Sequence, residues 1–291
     1  MSPSQRGPSR RPPPRHGSTG RPARAAGGQQ RDASRADKRG LGGDQVEGRQ
    51  AVRELLLGGR RAIREIWVLA DADDRGPLQD LTDLAASLRV AVKPVSRGKL
   101  DGAARTEAPQ GVIAFAAPLE EVELDRLAQG TKAAPPFLIA VDGVTDPGNL
   151  GALLRSAECA GATGVILPRH RAVHITPAVT KAAAGAIEHL PMAVVGGLPA
   201  ALTRLKELGV WVIGLDSDGA RRIDQVELAT EPVVLVLGAE GSGLSPLVRK
   251  RCDVVASIPL RGRLASLNVA AAAAIACYEV ARRRLDAPGQ S

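Results

Sequence analysis

The sequence predicts an α/β protein whose larger part is a doubly wound sheet of parallel strands, preceded by a smaller α/β unit. Three observations predict it. From Phe137 onward, short apolar runs alternate with helical patterns: FLIAVDGV, GVILP, PMAVV, VWVIGLD, VVLVLGAE and DVVASIPL. These runs are near-continuous rather than alternating, as expected of parallel strands covered on both faces. Three of them lead into turns rich in Gly, Pro, Asn or Ser that open helices: Asp142–Gly161, Leu237–Leu244 and Ile258–Ala276. Ligands of α/β sheets bind at the loops after the carboxyl ends of strands, so three such loops of small residues point to one ligand wrapped by backbone.

Four segments follow from composition. Residues 1–42 form a basic tail. Residues 1–40 carry ten Lys or Arg against two Asp, and the remaining 251 residues carry 29 charges of each sign, so the whole formal excess of +8 sits in the tail. Pro, Gly, Ser, Gln and Arg dominate it, with no aromatic, Val, Ile or Leu before Leu41. Such a segment cannot bury enough apolar surface to offset its ordering entropy, so disorder is expected. Basic arms add sequence-independent phosphate affinity, though a purely solubilising extension reads the same way.

Residues 43–118 read as a compact α/β unit. Asp44–Gly59 has Val52, Leu55 and Leu56 at helical spacing and stops at Gly58-Gly59. Ile63–Ala70 is a buried strand, Leu78–Leu88 an amphipathic helix, and Val90–Val95 a short strand. Ser96–Ala104 is a short helix and Gly111–Ala116 a third strand. Residues 119–136 read as a linker with one or two polar helical turns, ended by Pro135-Pro136. Residues 137–287 hold the parallel sheet. Its helices are Gly148–Cys159, Pro177–Ala186, Pro199–Leu208, Ser245–Arg251 and the Ala-rich Leu267–Arg284.

Several function classes are excluded on pattern. No apolar run is long enough to span a bilayer, and the basic N-terminus has no apolar stretch behind it as a secretory signal would. Cys159, Cys252 and Cys277 are odd in number and lack CxxC spacing, which fits small buried hydrophobes in a reducing cytoplasm rather than disulfides or zinc. His170, His174 and His189 have no metal-ligand spacing. LGAEGSGL is neither GxGxxG nor a GK[ST] phosphate loop, which argues against a nucleotide-dependent oxidoreductase.

Within the motifs, Asn149 sits at the start of a helix, where it either caps or serves chemistry. Arg155 follows six residues later, nearly two turns on and so expected close to the same face. An Arg on a largely apolar helix needs a partner. Glu158 is one candidate and a phosphate, which suits the guanidinium fork, is another. Gly238 and Gly241 allow close backbone approach, and Glu240 is a carboxylate between glycines at a strand end. Ser266 fits a helix cap and Asn268 a polar group of the first turn, again with capping and chemistry both open.

Taken together and in this order, DGVTDPGNLGALLRSAECAG, LGAEGSGL and IPLRGRLASLNVA resemble the three signature motifs of the SpoU/TrmH-type RNA 2′-O-ribose methyltransferases of the SPOUT class. The resemblance implies a trefoil-knotted catalytic domain, S-adenosylmethionine as methyl donor, no metal, and a homodimer built partly on the C-terminal helix, each site borrowing from the partner. It implies catalytic roles for Asn149, Arg155, Glu240, Ser266 and Asn268, and donor contacts from Gly238, Gly241, Ile258, Leu260 and Leu267. VEGRQAVRELL, EIWVLA and PQGVIA resemble the ribosomal-protein-like RNA-recognition domain of many family members. Arg49, Arg53, Arg60, Arg61, Arg97 and Lys99 are its candidate RNA-facing patch.

The substrate so implied is a guanosine of large-subunit ribosomal RNA. A transfer RNA enzyme and a thiostrepton-resistance-type enzyme are the alternatives within the class, and a non-catalytic RNA-binding or assembly factor the alternative outside it. The chain departs from the family pattern in three places. Glu107-Ala108-Pro109 stands where relatives often have a His before Gln110-Gly111. Arg261 and Arg263 make the third loop basic, and Ala270 replaces a small polar residue.

Overall fold

The computed structural model describes residues 40–70, 76–130, 134–170 and 174–287. The expected disorder of the basic tail falls, up to residue 39, outside the described residues. The first sheet is built from β1 (Gln45–Glu47), α1 (Arg49–Gly58), β2 (Ile63–Leu69), α2 (Pro77–Ser87), β3 (Val92–Val95), α3 (Arg97–Ala103) and β4 (Val112–Ala116). Its strand order is β1-β4-β2-β3, with β2 and β3 parallel and β4 antiparallel to both β1 and β2. Helix α1 buries Ala51, Val52, Leu55 and Leu56, the stripe predicted from spacing.

Strand β1 lies inside a stretch whose spacing announced a helix alone. The reason is chemical. Its single apolar residue, Val46, is flanked by Gln45 and Glu47, which are buried as well. Gln45 Nε2 donates to the Ala103 carbonyl (2.9 Å), and the Glu47 carboxylate accepts the backbone N–H groups of Arg105 (2.7 Å) and Thr106 (3.0 Å). A strand that buries satisfied polar groups leaves no hydrophobic signal.

The second sheet contains α4 (Leu124–Leu127), β5 (Phe137–Asp142), α5 (Pro147–Cys159), β6 (Gly164–Pro168), α6 (Pro177–Ala182), β7 (Met192–Val195), α7 (Leu198–Glu207), β8 (Trp211–Leu215), β9 (Arg221–Arg222), β10 (Val233–Gly238), α8 (Pro246–Arg249), β11 (Val254–Ser257) and α9 (Val269–Asp286). Its order is β7-β6-β5-β10-β8-β11-β9, and every pairing is parallel. Two cores cover the sheet. Phe137, Ile139, Val141, Leu235 and Leu237 pack with α5, α6 and α9 on one face. Leu138, Ala140, Val234 and Val236 pack with α7 and α8 on the other. Alternation is thus hidden inside continuous apolar runs, because both faces are buried.

The chain leaves β5 through β6 and β7 to one side, then returns to β8 on the other, and β10 fills the gap between β5 and β8. That reversal is a topological switch point, where ligand clefts open. Helix α9 then packs back against α5 and β10. Its far end is held by Arg284, which donates to the carbonyls of Ala229, Pro135, Pro136 and Glu231 at 2.8–3.0 Å and lies over the Phe137 ring.

Residues 119–130, read as a linker, are woven onto the second sheet: Val122 N donates to Met192 O (2.8 Å), and Leu127 is buried under α7 and β7. The helix expected over 177–186 stops at Ala182. Ala184 and Gly185 turn left-handed (φ 50 and 88), and a short 3₁₀ turn, Ala186–Glu188, follows. A Cβ on Gly185 would stand 2.4 Å from Glu54 Cβ, so α1 of the first sheet presses directly on this turn.

Candidate functional site

The site lies at the carboxyl ends of β5, β10, β8 and β11, which are brought level by register: Gly238 pairs with Asp142, Leu237 with Leu215, and Ala256 with Leu215. The loop after β10 is pinned from both sides. Asp142 Oδ2, ending β5, accepts Ser245 N (2.8 Å), and Asp216 Oδ2, following β8, accepts Leu244 N (3.2 Å). The loop also closes on itself through Ala239 and Gly243, paired at 3.0 and 3.1 Å.

Gly238 explains why the motif needs glycine. A Cβ there would meet Gly243 C at 2.3 Å, Gly243 O at 2.4 Å and Leu244 N at 2.6 Å, all backbone atoms that cannot rotate away. Gly238→Ala should therefore lower stability by about 1–3 kcal/mol, the range for overpacking a close contact. Thermal unfolding checks it, and an unchanged midpoint would mean that the loop has room the contacts deny.

The three motifs meet in a hydrogen-bonded cluster. Asn149 Nδ2 donates to Glu240 Oε1 (2.8 Å). Asn268 Nδ2 donates to Asn149 Oδ1 (2.9 Å) and to Glu240 Oε1 (2.7 Å). The orientation of both amides is forced. Asn268 Oδ1 accepts Ala270 N (2.9 Å) and Ala271 N (3.4 Å), so its nitrogen must face the cluster. Asn149 can then only receive with its oxygen and donate with its nitrogen. Glu240 thus takes two N–H groups on one oxygen.

Two capping expectations are corrected. Asn149 is not the cap of α5. Asp146 is, its carboxylate accepting Asn149 N (2.7 Å), with Pro147 at the first helical position where its missing N–H costs nothing. This frees the Asn149 side chain for Glu240. Asn268, not Ser266, caps α9, so the helix starts at Val269 rather than Leu267. The two ends of the Asn268 amide point different ways: its oxygen caps the helix and its nitrogen donates into the cluster.

A cleft of about 290 Å³ adjoins the cluster. All five residues expected to hold the donor line it: Gly238, Gly241, Ile258, Leu260 and Leu267, together with Glu240 and Ser266. Sequence reading missed Leu215, which ends β8, and Asp216, Ser217 and Asp218 after it, a loop whose one glycine, Gly219, forms no motif. Val269 and Ala272 of α9 also line it and read as ordinary helix core.

Arg155 does not join the cluster. Six residues advance a helix by about 600°, which leaves the two side chains about 120° apart rather than on one face. Arg155 is exposed and has no ion pair or hydrogen bond among the described residues, so neither Glu158 nor Glu240 holds it.

The expected basic patch divides. Arg49 and Arg97 line one cleft of the first unit with Gln110, whose side chain accepts Arg49 N (3.0 Å). Lys99 lies over the Trp67 ring at 4.6 Å, Arg53 pairs with Glu54, and Arg60 donates to the Glu188 carbonyl. Arg61 is corrected outright. Its side chain is 3% exposed and forms a two-pronged pair with Glu188, so it faces the second unit and not solvent.

Cys277 is buried, and burial pushes its thiol up to about 12; burial likewise raises half-buried Cys252 to about 11. Cys159 is exposed, against expectation. Among the described residues no group of three His, Cys, Asp or Glu can hold a metal ion.

Fold and site together define a class, and comparison with known proteins agrees. The SpoU rRNA Methylase family matches residues 136–278, and the family described as RNA 2′-O ribose methyltransferase substrate binding matches residues 45–122. The TrmH family protein YacO of Bacillus subtilis is 38% identical over 243 residues, covering 83% of this chain and 96% of its own. The 23S rRNA (guanosine-2′-O-)-methyltransferase RlmB of Ralstonia nicotianae is 40% identical over 244 residues, covering 84% and 97%. Among solved structures, the SpoU methyltransferase AviRb from Streptomyces viridochromogenes in complex with AdoMet shares the fold. Its TM-score is 0.70 at 24% identity, over 87% of this chain and 98% of that one. The chain belongs to the SpoU rRNA methylase family.

Proposed function

We propose that this protein transfers a methyl group from S-adenosylmethionine to a ribose 2′-hydroxyl of RNA, at a guanosine of 23S ribosomal RNA. The observation that carries the reading is the bonding of Asn149, Glu240 and Asn268, 91 and 119 residues apart along the chain from Asn149, beside a glycine-lined cleft. The relatives named for that reaction support the substrate. A ribosomal RNA substrate and the bacterial relatives named for the reaction support a cytoplasmic location.

The cleft suits the donor. Leu215, Leu237, Ile258, Leu260, Leu267 and Val269 offer apolar surface for a purine, and the backbone of 238–243 offers hydrogen-bonding groups without side chains in the way. When bound, S-adenosylmethionine supplies an electrophilic methyl on a sulfonium. The protein's part is to hold the 2′-oxygen in line and to stabilise it as its proton passes to water. Glu240 Oε2 has no hydrogen-bond partner among the described residues and is the position open to a ribose hydroxyl. Asn149, Asn268 and Ser266 align the sugar. Arg155, whose guanidinium carries five N–H donors and no acceptor, binds phosphate and stabilises the developing alkoxide.

Arg155 has no contact with its own cluster, so we assign it to the site of a second copy. The outer face of α9 supports pairing: Ile275, Tyr278 and Leu285 are exposed there, and Leu264 is 81% exposed just before the helix. The return of α9 against α5 and β10 supports a trefoil knot in the catalytic domain, residues 137–287. Residues 43–118 serve as a ribosomal-protein-like RNA-recognition domain, 119–136 join the two, and the basic residues 1–42 add phosphate affinity.

The test is incubation of the purified protein with labelled S-adenosylmethionine and protein-free large-subunit rRNA. Transfer RNA and the Arg155→Ala protein run alongside, and the methylated ribose is mapped. Labelling of one rRNA guanosine, reduced at least about 100-fold in the variant, is expected, since loss of one positioned charge-stabilising donor costs that much. Labelling of transfer RNA alone would move the protein to that substrate. No labelling of either, with donor bound, would leave an RNA-binding role.

A further inference from the structure

The cleft read above as the donor site is acidic, and its charge has a use beyond binding. Among the described residues its lining includes three carboxylates, Asp216, Asp218 and Glu240, and no Lys, Arg or His. Arg249 stands behind two of them: its Nη1 lies 3.1 Å from Asp216 Oδ2 and 2.7 Å from Asp218 Oδ1. Glu240 is bonded to neutral amides, which leave its charge uncompensated. Counting Arg249, the cleft keeps a negative excess.

The two aspartates differ in role. Asp216 is half-buried and spends Oδ2 on Leu244 N, so it belongs to the loop support. Asp218 is 74% exposed at the side chain and has no hydrogen-bond partner besides the Arg249 ion pair among the described residues. The backbone that carries it is rigid. A Cβ on the next residue, Gly219, would meet Ala256 C at 2.4 Å, and Ser257 Oγ donates to Gly219 O at 3.0 Å. Asp218 is therefore held at the rim with one edge of its carboxylate open.

Resting on the donor reading, we propose that Asp218, oriented by Arg249, is a specificity residue that tunes the cleft toward the methyl donor over the spent product. Methyl transfer converts a sulfonium into a neutral thioether, so donor and product differ by one positive charge and one methyl group. Specificity is a difference of two affinities; a fixed negative charge acts alike on the amino-acid groups that donor and product share, and through the sulfonium it acts on the difference. Because Asp218 stands at an exposed rim, salt weakens the effect. The consequence is lower occupancy by product after each turnover.

The experiment is isothermal titration of the full chain with S-adenosylmethionine and, separately, S-adenosylhomocysteine, at low and moderate salt. Wild type, Asp218→Asn, Asp218→Glu and the remote surface variant Glu207→Gln are compared. In Asp218→Asn the ratio of donor to product affinity should fall about three- to tenfold, through the donor. Product affinity should move less than about twofold, Asp218→Glu should restore most of the ratio, and Glu207→Gln should leave it unchanged. Added salt should narrow the difference between wild type and Asp218→Asn. Equal weakening of both ligands, or no change in either, would overturn the proposal and leave Asp218 a structural or solvated acid. Failure of wild type to bind either compound would instead remove the donor reading on which it rests.

Discussion

Arg61→Met should destabilise the protein by about 3–5 kcal/mol, the cost of leaving one partner of a buried ion pair uncompensated. Arg61 Nε and Nη2 donate to the two Glu188 oxygens at 2.9 and 2.5 Å, and Nη1 donates to the carbonyls of Gly43 and Ala117, each at 2.7 Å. The Arg61 and Glu188 side chains are 3% and 2% exposed. Removing Arg61 strands a carboxylate and two carbonyls at once. Around it lie the Gly185–Glu54 close approach, the His189–Glu54 contact at 3.0 Å and the Gly43 N to Ile175 O bond at 2.9 Å. Together these join the first unit to the second.

For a chain of this size the midpoint should fall by roughly 6–20 °C. The double variant Arg61→Met/Glu188→Leu should be the more stable of the two, because no charge is left buried. A single variant within about 2 °C of wild type would show that water reaches Glu188 and that the pair is not a lock. RNA affinity offers a second readout. If Arg61 is structural, the salt dependence of RNA binding by Arg61→Met, measured below its midpoint, stays that of wild type. A lost phosphate contact would lower that slope by about one.

What the sequence disclosed and what it hid follow one physical rule. Features that constrain a residue's own backbone were legible. Gly238 is there because two backbones touch, and Pro147 because a helix begins, so both leave their mark at the position itself. The parallel strands were legible because burial on both faces demands continuous apolar runs. Features that depend on a distant partner were not. Arg61 reads as one more surface charge until Glu188, 127 residues away, is placed beside it. Asp142 and Asp216, at the ends of predicted strands, give no sign of a partner until each is seen to hold an N–H of the loop after β10. Strand β1 was hidden because its buried polar groups are satisfied by residues about 58 positions on. Arg155 is a different case: helix arithmetic alone, about 600° over six residues, separates it from Asn149.

Asn268 allows the two meanings of a helix-start asparagine to be separated by substitution. Asn268→Ala removes the cap of α9 and both N–H donations to the cluster, so it should cost about 1 kcal/mol of stability and also most of the activity. Asn268→Asp is the informative change. An aspartate caps as well as asparagine does, accepting Ala270 N and Ala271 N as before. It cannot donate to Asn149 Oδ1 or Glu240 Oε1, and it sets a second carboxylate where Nδ2 stands 2.7 Å from the first. Like charges at that distance cannot both stay ionised without cost, so Glu240 should be pushed out of place or protonated.

The expected result is a midpoint within a few degrees of wild type and methyl transfer reduced about 10²–10³-fold, the loss typical of one misplaced group that stabilises charge in the transition state. Because the defect is carboxylate repulsion, lowering the pH should partly restore Asn268→Asp, as protonation of the pair returns a donor to the cluster. Asn268→Ala has no proton to regain and should not recover. Turnover measured for both variants between pH 5 and 8 decides the point. Near-normal activity in Asn268→Asp at neutral pH would mean that the amide donor is dispensable, and that Asn268 starts a helix and does nothing more.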